Sequence, residues 1–402
     1  MKTKKKSEKR IGKMNPILYH ILYPIVKLLY TKKYNISYDN KVVREIKGPA
    51  IVLGTHTSDV DHIISAITLA PVRPTYIVSE HHIHNPFSAK LLKYMHVITK
   101  KMFTPDVSTV RKIFRAKKEN AVLVLFPEGR LSCYGHTLPL VDGAAELVKK
   151  LGVDVYVWKA DGAYLTFPKW RDKGDDRIGK INASVKKLMT SDTVAEKSVD
   201  ELKRIIENAI THDDELAMEG VEYKCKDMSR GLDKILFKCP KCYKENTLIT
   251  GENHIRCECG LDATLDSTYR LHNAPFKRIN EWFEWQQESI DIDNESLYSS
   301  ARFGRCKEDG FMDPYAGEGD IYIDKNIFRL SGVMHGEEIE FEIETGKIGA
   351  FPITTGEHLD IYHNGELIYI YPLPDPKRAV KWVCFLDKFM AKKKQNTSTQ
   401  NT

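Results

Sequence analysis

Residues 49–61 of this 402-residue chain read Pro-Ala-Ile-Val-Leu-Gly-Thr-His-Thr-Ser-Asp-Val-Asp. The apolar run at residues 50–53 lies between turn-forming residues, which predicts a short buried strand. The Thr and Ser residues that follow are good N-cap residues, and they predict a turn that leads into a helix. A second apolar run, residues 121–126, is followed by Pro127-Glu128-Gly129. Two such strands predict a parallel sheet with polar residues gathered at its carboxyl edge.

The surrounding sequence alternates between predicted strands and predicted helices. Apolar runs predict strands at residues 49–54, 73–79, 121–126 and 153–158, and helical patterns lie at residues 59–70, 143–151 and 193–211. This alternation predicts an α/β domain at residues 36–220, with a mostly parallel sheet flanked by helices. His56 and Glu128 both follow the ends of strands, where such sheets bind their ligands.

His56 and Asp61 are a candidate proton-transfer pair. On a regular helix, residues five positions apart lie about 140° from each other, so the two side chains meet only if His56 curls back from the preceding turn. In that arrangement the imidazole can accept a proton from an alcohol, and the carboxylate fixes its tautomer. The alternative is a histidine that caps a helix, with Asp61 favoured in the first turn by the helix dipole.

The two motifs resemble those of the glycerolipid acyltransferase family that includes the 1-acylglycerol-3-phosphate acyltransferases. That family has Asn-His-Gln-Ser-x-x-Asp and Phe-Pro-Glu-Gly-Thr-Arg-Ser, where this chain has Thr-His-Thr-Ser-Asp-Val-Asp at residues 55–61 and Phe-Pro-Glu-Gly-Arg-Leu-Ser at residues 126–132. The resemblance covers about residues 15–210. It implies an O-acyltransferase in which His56 is the general base and Asp61 orients it. The implied donor is acyl-CoA or acyl-carrier protein, and the implied acceptor is a lysophospholipid or glycerol phosphate hydroxyl.

The same resemblance implies which residues bind the substrates. They are Ser58, Glu128, Gly129 and Arg130, with Lys100 or Lys101 as the basic residue of the middle motif. Arg130 lies one place earlier than the arginine of the family's second motif, and a lysine replaces the arginine of its middle motif. A lysine cannot form the paired hydrogen bonds by which an arginine binds phosphate, so phosphate recognition is in question. These departures leave a second hypothesis, a non-catalytic membrane lipid-binding or scaffold protein that retains the fold.

The N-terminal region, residues 1–35, is predicted to be a basic tail followed by an interfacial helix. Residues 1–13 hold seven basic residues and one acid. Such a tail is either solvated and disordered or attracted to an anionic membrane surface. Residues 17–30 are apolar but too short and too polar to span a bilayer, so they either pack on their own domain or lie in the interface. We therefore expect a peripheral or monotopic protein at the cytoplasmic face of a membrane.

Four of the eight cysteines are clustered at residues 222–270. Cys239, Cys242, Cys257 and Cys259 have the spacing C-x2-C-x14-C-x-C, which resembles a zinc ribbon. No secretory signal precedes them, so metal binding is favoured over disulfides. Four thiolates close a tetrahedral site, which predicts a structural and not a catalytic Zn2+. Aromatic and basic residues are not interleaved here, so we expect a spacer or protein-contact role and no nucleic-acid partner.

The remaining sequence predicts a β-rich C-terminal part. Residues 271–291 are predicted to be a connecting helix whose Trp282, Phe283 and Trp285 pack the ribbon onto a neighbouring domain. Short alternating strands at residues 292–392, closed by a helix after Pro376, predict a small β-sandwich or PH-like module that binds lipid head groups or a protein partner. The polar residues 393–402 are predicted to form a disordered tail.

Overall fold

The computed structural model describes residues 16–84, 89–90, 92, 95–103, 106–172, 174–175, 177–307 and 310–400. The α-helices with complete bounds are α1 (Pro16–Lys33), α2 (Asp61–Thr68), α3 (Val107–Lys118), α4 (Ala144–Leu151), α5 (Ala163–Thr166), α6 (Ser191–Glu196), α7 (Val199–Ile210), α8 (Asp214–Ala217), α9 (Ile279–Glu288) and α10 (Ala379–Gln400). Short 3-10 helices lie at Lys41–Glu45, Glu80–His84, Leu232–Lys234, Thr345–Lys347 and Pro376–Arg378.

The first sheet is built from strands between residues 36 and 189. They are β1 (Ile36–Asp39), β2 (Ala50–Gly54), β3 (Thr75–Ser79), β4 (Ile98–Lys100), β5 (Val122–Leu125), β6 (Asp154–Asp161) and β7 (Ile181–Met189). Their order across the sheet is β1-β7-β6-β2-β5-β3-β4. Every neighbouring pair is parallel except β6 and β7, which are antiparallel. The predicted α/β fold with a mostly parallel sheet is confirmed.

Helices cover both faces of this sheet. All five residues of β2 are buried because the strand lies between β5 and β6. Val52 belongs to the apolar layer that contains Ile64 of α2, whereas Leu53 belongs to the layer that contains Val148 of α4. Successive residues of a strand point to opposite faces, so a strand covered on both sides needs the unbroken apolar run from which it was predicted.

The structure contains strands and a helix break that the sequence analysis does not predict. Strands β1 and β4 have four and three residues, too few for a clear pattern, and β7 carries Lys186 and Lys187. The single helix predicted at residues 193–211 is α6 followed by α7. Ser198 and Glu201 form a capping box, which starts a new helix because each side chain bonds the backbone of the other.

The second and third sheets lie between residues 248 and 372. The second contains β8 (Leu248–Gly251), β9 (His254–Cys257), β10 (Leu261–Leu265) and β11 (Leu271–His272), in the order β11-β10-β9-β8. The third contains β12 (Leu297–Cys306), β13 (Met312–Ile323), β14 (Ile327–Met334), β15 (Glu337–Glu344), β16 (Ile353–Thr354), β17 (His358–His363) and β18 (Glu366–Pro372), in the order β15-β14-β13-β12-β18-β17-β16. We call β12–β18 and α10 the C-terminal module. Its β-rich architecture with a final helix is as predicted, while its likeness to a PH domain stays a prediction.

The C-terminal module, the second sheet and α9 share one apolar core with part of the first domain. Tyr134 stacks on Phe283 of α9, with ring centroids 4.3 Å apart and an interplanar angle of 11°. Trp282 is fully buried, and its Nε1 donates to the carbonyl of Lys238 at 3.0 Å. The same core runs on to Phe385 in α10. These parts of the chain are therefore packed against one another and not merely joined by linkers.

The last helix extends into the segment that the sequence analysis predicts to be disordered. Helix α10 continues to Gln400, whereas the predicted tail begins at residue 393. Lys393 donates to the carbonyl of Gly346 at 2.6 Å, and Lys394 lies 3.0 Å from Asp142. These contacts with distant segments favour helix in a polar stretch that has no apolar pattern of its own.

Helix α1 has one face on its own domain and an apolar face in solvent. Tyr19 is buried, and the hydroxyl of Tyr23 donates to the carbonyl of Ile67 in α2 at 3.5 Å. The other face leaves more than half of each of these side chains exposed: Ile17, Ile21, Ile25, Leu28 and Leu29. Among the helices of the described residues, none combines the length and apolar character needed to cross a membrane. The basic residues 1–13 lie outside the described residues.

Candidate active site

The loop between β2 and α2 brings His56 and Asp61 together. Gly54 ends β2, and Asp61 is the first residue of α2. The loop curls back over this first helical turn, so that His56 Nδ1 lies 3.0 Å from Asp61 Oδ2. The side chain of Asp61 is 1% exposed and that of His56 is 27% exposed. The pair therefore meets solvent through the imidazole, which is where a substrate can approach it.

The hydrogen bonds of Asp61 determine which nitrogen of His56 carries the proton. Asp61 Oδ2 also accepts the backbone N–H groups of Thr57 and Ser58, each at 2.9 Å. An oxygen that accepts two N–H bonds is not itself a donor, so His56 Nδ1 carries the proton and donates it to Oδ2. Nε2 is then the basic atom of the ring, and no described residue forms a hydrogen bond with it.

Burial keeps the imidazole in its neutral form. The ring of His56 stacks on Phe126, with centroids 4.3 Å apart and an interplanar angle of 20°. Burial, together with the positive charge of Lys169, lowers the pKa of His56 to about 3. Burial raises the pKa of Asp61, and the two backbone amides that it accepts oppose this rise. At pH 7 the imidazole is therefore unprotonated and can act as a proton acceptor.

Glu128 ties the His56 loop to the turn that follows β5. Its Oε1 accepts the backbone N–H of His56 and its Oε2 accepts that of Leu138, both at 2.7 Å. Burial raises the pKa of Glu128 to about 8, against the effect of these two bonds. Both oxygens are used within the protein because a buried carboxylate needs donors. The structure thus gives Glu128 a positioning role where the resemblance implies a substrate contact.

Ser58 and Gly129 shape the backbone on the two sides of the site. The Oγ of Ser58 accepts the N–H of Val60 at 3.3 Å, which tightens the loop. Gly129 has a φ of 75°, in the left-handed region that favours glycine. A Cβ at this position would lie 2.5 Å from Val141, so no other residue fits without a shift. Direct contacts of these two residues with a substrate stay predictions.

Arg130 contacts the C-terminal module. Its Nη2 pairs with the carboxylate of Asp387 in α10, and its Nη1 donates to the carbonyl of Phe351 at 3.4 Å. Its side chain is 11% exposed, and that of Asp387 is 23% exposed. The structure therefore gives the guanidinium protein partners where the resemblance implies a phosphate. The physical reason is that α10 delivers an acidic side chain to this position.

Lys100 is the last residue of the edge strand β4, and Lys101 follows it directly. Burial lowers the pKa of Lys100, and the charge of Asp106 opposes this effect. The ammonium of Lys101 donates to the carbonyl of Gly365 in the C-terminal module at 2.6 Å. Of the two candidates for the middle-motif cation, Lys101 is thus engaged by the C-terminal module.

A segment that no motif indicated, residues 167–171, also contributes to the site. Arg171 Nη1 lies 3.4 Å from the carboxylate of Asp59 in the His56 loop, across 112 positions of sequence. Lys169 belongs to the same segment, and its charge lowers the pKa of both His56 and His82. A contact over this sequence distance leaves no local pattern in the sequence.

A separate candidate metal site lies where the second sheet begins. The Sγ atoms of the four predicted ligands, Cys239, Cys242, Cys257 and Cys259, all lie within 4.8 Å of one another. Cys239 and Cys259 are 3.6 Å apart, and Cys242 and Cys257 are 3.8 Å apart. Sulfurs bound tetrahedrally to zinc at about 2.3 Å would be about 3.8 Å apart, so the arrangement fits such an ion.

A match to a family model supports this reading of the first domain. Residues 33–158 match a family model described as Acyltransferase. Among solved structures, the chain is similar to the 1-acyl-sn-glycerophosphate (LPA) acyltransferase PlsC from Thermotoga maritima, with 19% sequence identity and a TM-score of 0.41. That match covers 48% of this chain and 76% of the other. The family match includes His56, Asp61 and Glu128, and it confirms the predicted resemblance of residues 33–158 to the acyltransferase family.

Proposed function

We propose that this domain transfers an acyl group from a thioester, either acyl-CoA or acyl-carrier protein, to a hydroxyl group of a lysophospholipid or another glycerol phosphate. The observation that carries this proposal is the 3.0 Å contact between His56 Nδ1 and Asp61 Oδ2. It leaves a neutral ring with its basic nitrogen accessible to an alcohol. The carboxylate at the other nitrogen stabilises the imidazolium that forms when the proton is taken.

In the proposed reaction, His56 Nε2 accepts the hydroxyl proton while the acceptor oxygen attacks the thioester carbonyl carbon. The tetrahedral intermediate then collapses, the carbon–sulfur bond breaks, and the leaving thiolate takes the proton back from Nε2. The products are an ester and a free thiol, and no acyl-enzyme forms. A well-placed general base contributes about 10²–10⁴-fold, and holding both substrates in register adds to this.

The positions of the other site residues support the same reaction. Glu128 fixes the backbone of His56 and leaves the imidazole free to face the substrates. Ser58, the Gly129 backbone and Lys100 are our candidates for direct substrate contacts. Together with burial, the charge of Lys169 lowers the pKa of His56.

A membrane surface is the proposed source of the acceptor. The exposed face of α1 is apolar, with Ile17 70% exposed and Leu29 60% exposed. Apolar side chains along one face of a helix bind at the boundary between head groups and acyl chains. Tyr23 of α1 bonds to α2, the helix that begins with Asp61, so this face is attached to the catalytic region. We therefore propose a peripheral or monotopic enzyme at the cytoplasmic face of a membrane.

The four clustered cysteines are proposed to bind a structural Zn2+. Four thiolates would fill a tetrahedral coordination sphere and leave no position for water or substrate. Helix α9 supports this part of the chain, since Gln286 Oε1 accepts the N–H of Phe237 at 2.8 Å and Trp282 bonds to Lys238. The proposed ion would fix the cysteine cluster in the position where α9 contacts it. The proposed role of the cluster is therefore a contact within the protein or with a protein partner.

The test is thiol release from acyl-CoA and acyl-carrier-protein donors, with and without lysophosphatidic acid in mixed micelles. We expect release to require the acceptor and to fall at least about 100-fold in His56→Ala. His254→Ala is the matched control, because His254 Nδ1 also lies beside an aspartate, Asp262, at 2.5 Å on the second sheet. This variant should keep the wild-type rate.

Each other result has a definite meaning. Release that requires a different acceptor would keep the mechanism and change the substrate. Full transfer by a folded His56→Ala protein would contradict the mechanism. Binding of lipid micelles without any release would instead support the second candidate, a lipid-binding scaffold, which the engagement of Arg130 by Asp387 favours.

A further inference from the structure

We propose that Lys169 binds the phosphate group of the acceptor and that the C-terminal module forms one wall of this binding site. The inference rests on the proposed function and deepens it by naming a recognition residue. It also gives the C-terminal module a direct part in substrate binding. The ligand chemistry is a phosphate monoester, whether on a lipid or on free glycerol phosphate.

The first observation is that Lys169 lies beside the His56 loop. Arg171, two residues further on, contacts Asp59 of that loop at 3.4 Å. The charge of Lys169 acts on His56 and is itself influenced by Asp59. The segment that carries Lys169 is therefore in contact with the His56 loop.

The second observation places Lys169 next to the turn that follows β5. Ser132 donates its N–H to the carbonyl of His56 at 2.9 Å, so this turn and the His56 loop are in contact. The charges of Arg130 and Lys169 both act on the buried thiol of Cys133. The charge of Lys169 thus acts on residues of both segments that carry the two motifs.

The third observation concerns the C-terminal module. The hydroxyl of Thr355 donates to the carbonyl of Lys169 at 2.7 Å. Asp360 of β17 is buried, which raises its pKa to about 8, and the charge of Lys169 opposes this rise. The module therefore contacts the backbone of Lys169 and places an acidic group within range of its ammonium.

The ring of Phe103 extends this wall to the glycine turn. It lies 3.3 Å from the position that a Cβ would occupy at Gly129, and 3.2 Å from the corresponding position at Gly349. Phe103 is thus packed between the turn after β5 and the C-terminal module. The acceptor side of the site is therefore closed by residues 349–360 as well as by the acyltransferase domain.

Charge balance indicates what Lys169 binds. Among the described residues, no carboxylate lies within 4 Å of its ammonium, whereas Arg130 is paired with Asp387. Lys169 is half-buried, and a partly desolvated cation is stabilised by an anion that pairs with it directly. In a 1-acylglycerol 3-phosphate, the free hydroxyl is on the carbon next to the one that carries the phosphate. One such molecule can place its phosphate at Lys169 and its hydroxyl at His56.

The experiment uses the full-length protein and two acceptors with the same acyl chain, lysophosphatidic acid and monoacylglycerol. We expect Lys169→Met to raise KM for lysophosphatidic acid about 10- to 100-fold, with less than about a twofold change for monoacylglycerol. Lys169→Arg should restore part of the loss. Thr355→Val, which removes one bond to the segment, should raise the same KM by about 2- to 10-fold.

A control and a binding measurement separate this inference from the proposed function. Lys159→Met is the matched control, because burial lowers the pKa of both Lys159 and Lys169. The ammonium of Lys159 differs in that it donates to the carbonyl of Thr211, at 2.7 Å. Calorimetry with sn-glycerol 3-phosphate measures phosphate binding without turnover. Wild type and Lys159→Met should bind it, and Lys169→Met should bind it at least about 10-fold more weakly.

Equal losses with both acceptors, or an unchanged KM of Lys169→Met for lysophosphatidic acid, would overturn the inference. The wild-type protein could bind glycerol phosphate through Lys169 and yet transfer no acyl group to any acceptor. This result would uphold the inference and contradict the proposed function. Transfer to monoacylglycerol alone, with no glycerol phosphate binding, would overturn the inference and keep the acyl-transfer chemistry.

Discussion

The two sides of the active site are held by different parts of the chain. On one side, His56 and Asp61 are positioned by bonds within a single loop and by Glu128. On the other side, Arg130 and Lys169 are held by residues of the C-terminal module that lie 221 and 186 positions away. The comparison teaches that the proton-transfer chemistry depends on local contacts, whereas the acceptor side depends on the complete chain.

The local side is tested most strongly by Asp61→Asn. Asp61 Oδ2 now accepts from His56 Nδ1 and from two backbone N–H groups. Asparagine would place an N–H group at this position, so His56 would lose the acceptor that fixes its tautomer. We expect kcat to fall about 10³–10⁴-fold, as in other enzymes where the orienting aspartate is changed, with little change in melting temperature. Asp262→Asn, which alters the surface His254 pair, is the control. A kcat within tenfold of wild type would contradict the role of Asp61.

The remote side is tested by removing the proposed Zn2+ from the cysteine cluster. Zinc ions bound by four thiolates or similar ligands contribute about 10–16 kcal/mol in small peptides, so chelation or Cys239→Ser should lower the melting temperature markedly. KM for the acceptor should rise before kcat falls, because the C-terminal module shares its core with this region. Metal content and thermal melting are the measurements, with Cys306→Ser as the control. Purified protein without bound metal would rule out this account.

A smaller effect is expected when the pair between Arg130 and Asp387 is broken. Both side chains are mostly buried, and removal of one partner leaves the other uncompensated. Arg130→Met and Asp387→Asn should each lower the free energy of unfolding by about 2–4 kcal/mol, and the double variant by less than their sum. Denaturant titration measures this. A raised KM in Arg130→Met alone, with Asp387→Asn unchanged in every respect, would instead assign Arg130 to the substrate.

The smallest effect is a pH shift at His56, where the two sides meet. The basic form of the ring is lost only as the pH falls through its pKa of about 3, so activity should persist well below neutral pH. Lys169→Met removes one of the two causes that lower this pKa, so the acidic limb of kcat/KM should move to higher pH by roughly one unit or less. Lys159→Met should leave the limb in place. A move to lower pH would contradict the proximity of Lys169.

Sequence patterns predict the parts of this molecule that are decided locally. The apolar run of β2 predicts a strand without reference to the strands beside it. The turn that brings His56 to Asp61 is contained in six residues. The break at Ser198 was also local, in its capping box with Glu201, and was missed because the apolar period continues across it. The pairing of β6 with β7 and the contacts of Lys169 depend on residues far along the chain. No period or spacing records such contacts, so they could be found only in the fold.

The shared core has a consequence for how the protein is made. The parallel sheet has all its strands once residue 189 has been synthesised, but Tyr134 belongs to a core that extends to Phe385. About 250 residues separate the two, and at about 5–20 residues per second the first half of that core waits roughly 10–50 s for the second. During this time apolar side chains beside the catalytic loop have no partner, which is the situation that chaperones recognise. The proposed wall on the acceptor side is thus the last part of the protein to be assembled.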